Sequence, residues 1–481
     1  MNRYQHQVTA LDLLQKNDVY ALLMEMGTGK SRVVIDDWTM RNTQGRMDLV
    51  VIAPKGTYLN WFTELDTWLP TDFSYCRAAW RSGANKAQQK ELADLIYATK
   101  PRCLIMNIEA LNRKGPARDY IEKFIGHRNV IGVIDESTTI AHQEAQRTQF
   151  ILNSLAYRFK ARRILTGLVA PESPMDLFTQ YAFLSRSIIG LKNFWDFKHR
   201  YAITQKVNFT PAHLRVEGKR TREATVIIGY RNLEELNKKI MARSYRVTKT
   251  EVLDLPPKIY QFWDVDLTPE QDLAYRQIRD IATTKLANGE YATASMKLDQ
   301  LSKMQHILCG HVHTENDGIG HIPENRTEAV VEILQQHSGK AIIWAPYPAA
   351  LRKITAKLRK EFGDDSTVTF WGETTLDERV EAREKIQADD ACRFIVSNQS
   401  VGKFGNTWTA CNLVIYYANS FDNEDRQQSE DRAHRIGQTK YVTYIDLRAP
   451  GTIDEKLIQV LRKKISMSST LQGDEFRQWL I

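Results

Sequence analysis

Cysteine is scarce in this chain of 481 residues, with five in all: Cys76, Cys103, Cys309, Cys392 and Cys411. They lie far apart, in odd number and without a Cys-x-x-Cys pair, which argues against a disulfide framework or a zinc ribbon and fits a reducing compartment. Long apolar runs are missing too. No stretch approaches the ~20 residues a membrane-spanning helix needs, and the opening MNRYQHQVTALDLLQKND lacks the basic-then-apolar layout of a signal peptide. The expectation is a cytoplasmic protein with no membrane partner. Glycine (24) and proline (14) are few, and neither a short-period repeat nor a low-complexity segment occurs, so a solenoid or a long disordered tail is not expected. Acid does not dominate: 66 Lys and Arg face 58 Asp and Glu, a net charge of +8 that suits a polyanionic partner without requiring one.

What is present is alternation. The length predicts two or three domains. Short apolar runs, LVVIA (49–53), RCLIM (102–106), VIGVID (130–135) and RILT (163–166), alternate with helical stretches, the pattern of a parallel sheet covered on both faces. From 186 to 325 the pattern changes to long helical candidates, TPEQDLAYRQIRDIATTKLANGE and TASMKLDQLSKMQHILC, with few buried-strand runs. Alternation then returns with KAIIWA, TVTFW, RFIVS, NLVIYY and YVTYIDL. The fold class is therefore read as α/β, two parallel-sheet lobes at 1–185 and 326–481 with a helical insert and linker at 186–325.

The first lobe carries MGTGKS after the apolar YALLM and before the helical RVVIDDWTMR. Strand, glycine turn and helix start are the context of a phosphate loop. Backbone N–H groups and the helix dipole hold phosphates there, Lys30 reaches the β- and γ-oxygens, and Ser31 binds Mg2+. The first glycine of the usual GxxxxGK[ST] pattern is replaced by Met24. VIGVIDES then places Asp135 and Glu136 at the C-terminal end of a strand, where α/β sheets bind ligands. Asp135 suits a Mg2+ site and Glu136 suits orienting and deprotonating a water.

In the second lobe SEDRAHRIGQ holds Arg432 and Arg435, three apart in a run that reads as helical up to Gly437. On a helix they share a face, and two guanidiniums there call for an anion. A γ-phosphate reached across a cleft between lobes is one candidate; an ion pair with Glu430 or Asp431 is the other.

At these residues the chain resembles the Swi/Snf-like ATPases of helicase superfamily two. QSEDRAHRIGQ resembles their last motif, QAxDRxHRxGQ. RYQHQ resembles the adenine-reading segment, with Gln5 implied as the base contact and Tyr4 as its packing partner. MGTGKS is similar to the family's phosphate loop, with Gly27, Thr28, Gly29, Lys30 and Ser31. VIAPKGTYLNWFTEL is similar to the VVP…WxxE segment, from Pro54 through Trp61 to Glu64. WGETTLDER matches a G-x-T…R motif at Gly372 and Arg379, SNQSVGKFGNTWTACNLVIYY the SxxAGGxGLNLTAA segment with Gly405, and APGTIDEKLI the closing GTIEE helix. The matches run in the family's order from about residue 3 to 465. Departures are DEST for DEAH at Ser137 and Thr138, TGLV for TGTP with Val169 for proline, and GNTW for GLNL with Thr407 at the asparagine position.

The resemblance implies RecA-like lobes, ATP and Mg2+, and double-stranded or branched DNA as partner. It implies a catalytic set of Lys30, Asp135, Glu136, Arg432 and Arg435, with Ser31 and Asp135 at the metal. Implied DNA contacts are Lys55, Gly56, Asn107, Glu109, Ser397, Gln399 and Trp408, the last equally readable as a core residue. The basic stretch RVEGKRTRE (215–223) reads either as a solvated loop or as a mobile DNA-reaching element. HILCGHVH (306–313) resembles the family's RQICNHP segment and is assigned to helix-end packing rather than metal. The expected function is an ATP-dependent duplex DNA translocase, monomeric, of a bacterial or viral type because no reader or nuclease motif is attached. A strand-separating DNA or RNA helicase is the alternative within the enzymes. A non-hydrolysing DNA-bound scaffold is the alternative outside them, suggested by DEST, TGLV and GNTW.

Overall fold

A computed structural model of the chain describes residues 3–167, 173–209, 222–252, 255–287, 294–313, 319–402, 407–459 and 461. The chain divides into two compact units, one of residues up to 203 with 229–254, the other of 204–228 with 255–464.

In the first unit β1 (Val19–Met24), β2 (Asp48–Ala53), β3 (Cys76–Ala79), β4 (Arg102–Asn107), β5 (Val130–Asp135) and β6 (Ala161–Leu165) alternate with helices. The helices are α1 (Gln5–Lys16), α2 (Lys30–Gln44), α3 (Asn60–Trp68), α4 (Lys86–Tyr97), α5 (Pro116–Ile125), a short α6 (Gln146–Phe150) and α7 (Leu177–Leu184). A two-stranded ribbon, β7 (Ala202–Phe209) with β8 (Arg222–Tyr230), follows in sequence and falls mostly in the second unit, and the chain returns to the first unit with β9 (Ser244–Val247). The seven-stranded sheet runs β3-β4-β2-β5-β6-β1-β9, every pair parallel. Its central strands are continuous apolar runs because helices cover both faces, and β2 and β4 are buried along their whole length.

Two ion pairs sit inside this apolar layer. Arg163 on β6 meets Asp37 on α2 at 3.1 Å, and Arg102 on β4 meets Asp48 on β2 at 2.6 Å. Each guanidinium also donates to backbone carbonyls, Arg163 to Leu14 and Asp18, Arg102 to Ile96 and Phe124. Removing one partner would strand a buried charge, at a cost of about 3–5 kcal/mol.

The second unit holds β10 (Lys258–Asp264), the antiparallel hairpin β11 (His311–His313) and β12 (Ile319–His321), then β13 (Lys340–Trp344), β14 (Thr367–Phe370), β15 (Phe394–Ser397), β16 (Cys411–Tyr416) and β17 (Val442–Arg448). Its six-stranded sheet runs β10-β17-β16-β13-β15-β14, again all parallel. Both expected parallel-sheet lobes are thus present.

The expected insert at 186–325 needs correction, because it is not wholly helical. Its two long helical candidates are helices, Pro269–Ala287 and Ala294–Leu308, but it also supplies β9 to one sheet and β10 to the other. Both are edge strands with half-exposed residues, so neither shows the apolar run that marks a central strand. The basic stretch 215–221, Val169 and Gly405 lie outside the described residues. At 306–313 the rings of His306 and His311 stack 4.7 Å apart, with Tyr347 edge-on to His306 at 4.1 Å, and Gly310 turns the chain with φ 79°. All five cysteines are free, four of them buried, and burial pushes the Cys392 thiol up to about 11.

Candidate nucleotide-binding site

The site is built on the C-terminal ends of β1 and β5. After Met24 the chain turns through 25–29 into α2, and Gly27 and Gly29 take φ of 83° and 91°, left-handed values that disfavour any side chain. Gly29 caps α2, so the unpaired N–H groups at the start of that helix open onto the loop. Three contacts hold the loop's shape. Thr28 Oγ1 donates to the Glu25 carbonyl at 2.7 Å. His6 Nε2 and Gln7 Nε2 both donate to the Thr28 carbonyl, at 2.8 and 3.2 Å. Gly167, after β6, lies so close that a Cβ there would sit 3.3 Å from Glu25 Cα and Met26 N.

His6 and Gln7 support the loop from α1, beside Tyr4 and Gln5, the residues the sequence singles out there. Both are buried at the start of α1, whereas Tyr4 is half exposed, stacked on His6 at 5.7 Å, and Gln5 is exposed.

Lys30, the first residue of α2, is 9 % exposed and donates its Nζ to the Met24 carbonyl at 2.8 Å. It is held inside the loop it would serve. Asp135 ends β5, and its Oδ2 accepts a hydrogen bond from Trp61 Nε1 at 2.9 Å. Burial pushes the Asp135 carboxyl above the ordinary carboxylate range, opposed by the Trp61 hydrogen bond, the Lys30 charge and the Glu136 N–H. Glu136 is buried and takes φ 49°, one of two non-glycine residues with positive φ among those described. A non-glycine residue held in this region is fixed there by the fold around it. Ser31 and Asp135 offer the oxygen donors that Mg2+ prefers, and the positive-φ glycine cradle leaves the backbone free for phosphate.

The WxxE spacing also acquires a physical reason. Trp61 holds Asp135, while Glu64 accepts from Trp68 Nε1 at 2.9 Å and the Trp68 ring lies 4.3 Å under the Arg32 guanidinium of α2. Ser137, the departure from DEAH, donates to Gln180 on α7, whose amide donates on to Asp176. The turn bearing Asp135 and Glu136 is thereby tied to the helix that follows the Thr166–Gly167 segment.

In the second unit the arginine segment departs from expectation. The helix runs Asn423–Glu430 and stops, and Asp431 to His434 form a turn, so Arg432 and Arg435 do not share a helical face. Arg432 N bonds to Ser429 O, tightening the last turn, and the Tyr444 hydroxyl takes the Glu430 carbonyl. Arg432 is 1 % exposed with Nε on the Gln428 carbonyl at 2.9 Å, and Arg435 is half-buried. The carboxylate of Glu430 accepts from Lys258 (3.1 Å), Tyr260 (2.7 Å) and Arg426 (3.0 Å). Gln438 fastens the turn from beyond, donating to the carbonyls of Thr409, Cys411 and Ala433.

Several residues implied as DNA contacts are buried here. Trp408 is fully buried and packs on Trp344 (5.5 Å) and Phe370 (5.6 Å), which favours its reading as a core residue. Ser397 and Gln399 are buried, Ser397 donating to the Phe370 carbonyl and Gln399 accepting from Ser420 N. Asn107 is buried and accepts from Ala110 N at 2.8 Å, which caps a short turn. Lys55, Gly56 and Glu109 remain exposed, with Glu109 accepting from the Lys55 backbone N–H.

Residues 4–313 match the SNF2-related domain, and residues 325–437 match the helicase conserved C-terminal domain. The chain is 26% identical over 477 residues to the human (Homo sapiens) DNA annealing helicase and endonuclease ZRANB3, an alignment covering 96% of this chain and 39% of that protein. It is 24% identical over 463 residues to the probable ATP-dependent DNA helicase CHR12 of Arabidopsis thaliana, covering 92% of this chain and 39% of that one. Among solved structures, the Sulfolobus solfataricus SWI2/SNF2 ATPase core in complex with dsDNA aligns with a TM-score of 0.41 and 21% identity, covering 98% of this chain and 95% of the other. The chain spans about two fifths of the length of these two curated relatives. With both domain matches in order along it, the chain belongs to the SNF2-related family of helicase-superfamily ATPases.

Proposed function

We propose that the protein is a DNA-stimulated ATPase that moves along duplex DNA and remodels branched DNA or protein–DNA complexes. The observation that carries this reading is the loop between β1 and α2. Gly27 and Gly29 in left-handed conformations, the open N-terminus of α2 and Lys30 make a phosphate cradle beside Asp135 and Glu136. Bound Mg2+, held by Ser31 and Asp135, would neutralise phosphate charge.

This chain's own groups do the rest. The backbone N–H groups of 27–31 bind the phosphates. Lys30 exchanges the Met24 carbonyl for a β- or γ-oxygen, and Tyr4 and Gln5 address the base. Glu136 takes the proton of the attacking water at its carboxylate. Arg432 and Arg435, by the family resemblance, are the second unit's candidates for the positive charge that phosphoryl transfer requires. Lys55 and Gly56, exposed on the first unit, take DNA phosphates, which position the protein without reading sequence.

The test is steady-state ATP turnover with no nucleic acid, duplex, single-stranded and forked DNA, and RNA, for the wild type, Glu136→Gln and Arg435→Ala. Stimulation by duplex or forked DNA, reduced at least about 100-fold in both variants, is expected. Stimulation by single strands or RNA alone would replace the reading with a strand-separating helicase, and absence of turnover on every substrate would replace it with a scaffold.

A further inference from the structure

Strand β3 is one edge of the first unit's sheet, and beside it lies a groove of about 790 Å3 between the turn after β3, helix α4 and the loop entering α5. It belongs to neither the nucleotide site nor the Lys55–Gly56 surface. Four cations line it, Arg81, Arg113, Lys114 and Lys123, and no carboxylate does. Three aromatic rings share the lining with small and aliphatic side chains. The rings of Trp80 and Tyr120 lie 5.4 Å apart at 41°, and Tyr97 is 73 % exposed with Lys123 Nζ 5.7 Å from its ring. Arg113, Lys114 and Lys123 are exposed as well.

Cations alone would suit any phosphate backbone. The exposed ring of Tyr97 discriminates, because a duplex keeps its bases stacked within itself and presents only phosphate and groove edges. An unpaired strand presents phosphates to the cations and base faces to the rings together. We infer that this groove holds a single-stranded arm of a branched DNA substrate, with phosphates on Arg81, Arg113, Lys114 and Lys123 and a base on Tyr97. The inference rests on the proposed function for its choice of DNA as substrate, and it adds a second binding site that makes a fork or flap a better substrate than a blunt duplex.

The test is fluorescence anisotropy of labelled oligothymidylate, oligouridylate and a blunt hairpin duplex with the full chain, Tyr97→Ala, and the double variant Arg113→Glu with Lys114→Glu. Duplex-stimulated ATPase is followed in parallel. All three side chains are exposed, so the fold should survive. Both variants should lose about tenfold in oligothymidylate affinity, the scale of one stacked base, with duplex affinity and duplex-stimulated turnover within about twofold. Equal losses on duplex and single strand would overturn the assignment in favour of a duplex-phosphate surface. Unchanged binding of all three probes would overturn it outright, and oligouridylate bound more tightly than oligothymidylate would overturn the choice of DNA. Failure of duplex to stimulate the wild type would instead strike the proposed function, and the anisotropy of the single strand would still be read independently.

Discussion

Asp135 sits where stability and chemistry pull apart. Burial raises its pKa more than Trp61, Lys30 and the Glu136 N–H lower it. A carboxyl raised in the folded state takes up a proton more readily there than in the unfolded chain. Its ionisation therefore costs stability at neutral pH, a cost that is full above the folded pKa and fades as pH falls through it towards the unfolded value. Asp135→Asn keeps an oxygen for Trp61 Nε1 and removes the charge. Its melting temperature, read by scanning fluorimetry without nucleotide, should rise about 2–4 °C at pH 7.5 and less at lower pH, while ATP turnover is lost. An equal gain at all pH values would show that ionisation is not the cause. Gly29 is the opposite case, a residue with no slack. A Cβ there would lie 2.2 Å from Gln7 Nε2 at φ 91°, so Gly29→Ala should cost about 1–3 kcal/mol in denaturant unfolding and weaken ATP binding further. The string GTGKS makes the loop legible in the sequence. The support from His6 and Gln7 is not, because nothing in RYQHQ says that the Thr28 carbonyl, 22 and 21 residues away, will be their acceptor.

At the scale of elements, legibility followed burial. Strands covered on both faces read as unbroken apolar runs, but β3, β9 and β10 lie at edges. In β10, five of seven residues are exposed, so its KIYQFWD pattern resembles no core strand. The helix Asn423–Glu430 shows the converse failure, a helical pattern that tertiary contacts cut short. Its end is fixed by Glu430, whose carboxyl burial alone would raise but Lys258 and Arg426 hold below the ordinary range. A depressed folded pKa gives stability that is full above the unfolded value and lost as pH falls through the folded one, so this contribution should fade below about pH 4.5. Glu430→Ala leaves Lys258 and Arg426 without that carboxylate and should cost about 3–5 kcal/mol at pH 7, a difference that narrows in urea titrations at pH 4 and below. The Ser137–Gln180 link is the element-scale answer to the departure from DEAH. If it couples nucleotide state to α7, Ser137→Ala should leave DNA-free turnover within about twofold and cut DNA stimulation by about fivefold or more, the worth of one buried hydrogen bond. Equal loss with and without DNA would make the bond merely structural.

On the scale of the whole molecule, the excess of eight positive charges is too small to specify a partner by itself, and its distribution matters more. The sequence alone could not tell exposed candidates from buried ones. Ser397, Gln399, Asn107 and Trp408 stand in segments that look like DNA-facing motifs, yet each is spent on holding backbone or filling core. Lys55 and Gly56 are exposed, with Lys55 N–H anchored to Glu109 and the Lys55 side chain left to solvent. A lysine that meets one duplex phosphate releases about one counterion, so the logarithm of apparent DNA affinity against the logarithm of salt should change slope by about 0.9 when it is removed. Lys55→Ala should flatten that plot by this amount, weaken duplex of every sequence alike, and leave DNA-free ATP turnover unaltered. Trp408→Phe should leave the slope as it is and lower the melting temperature instead, since it trims a packed core residue. A flattened slope from Trp408→Phe with none from Lys55→Ala would reverse the assignment of the two.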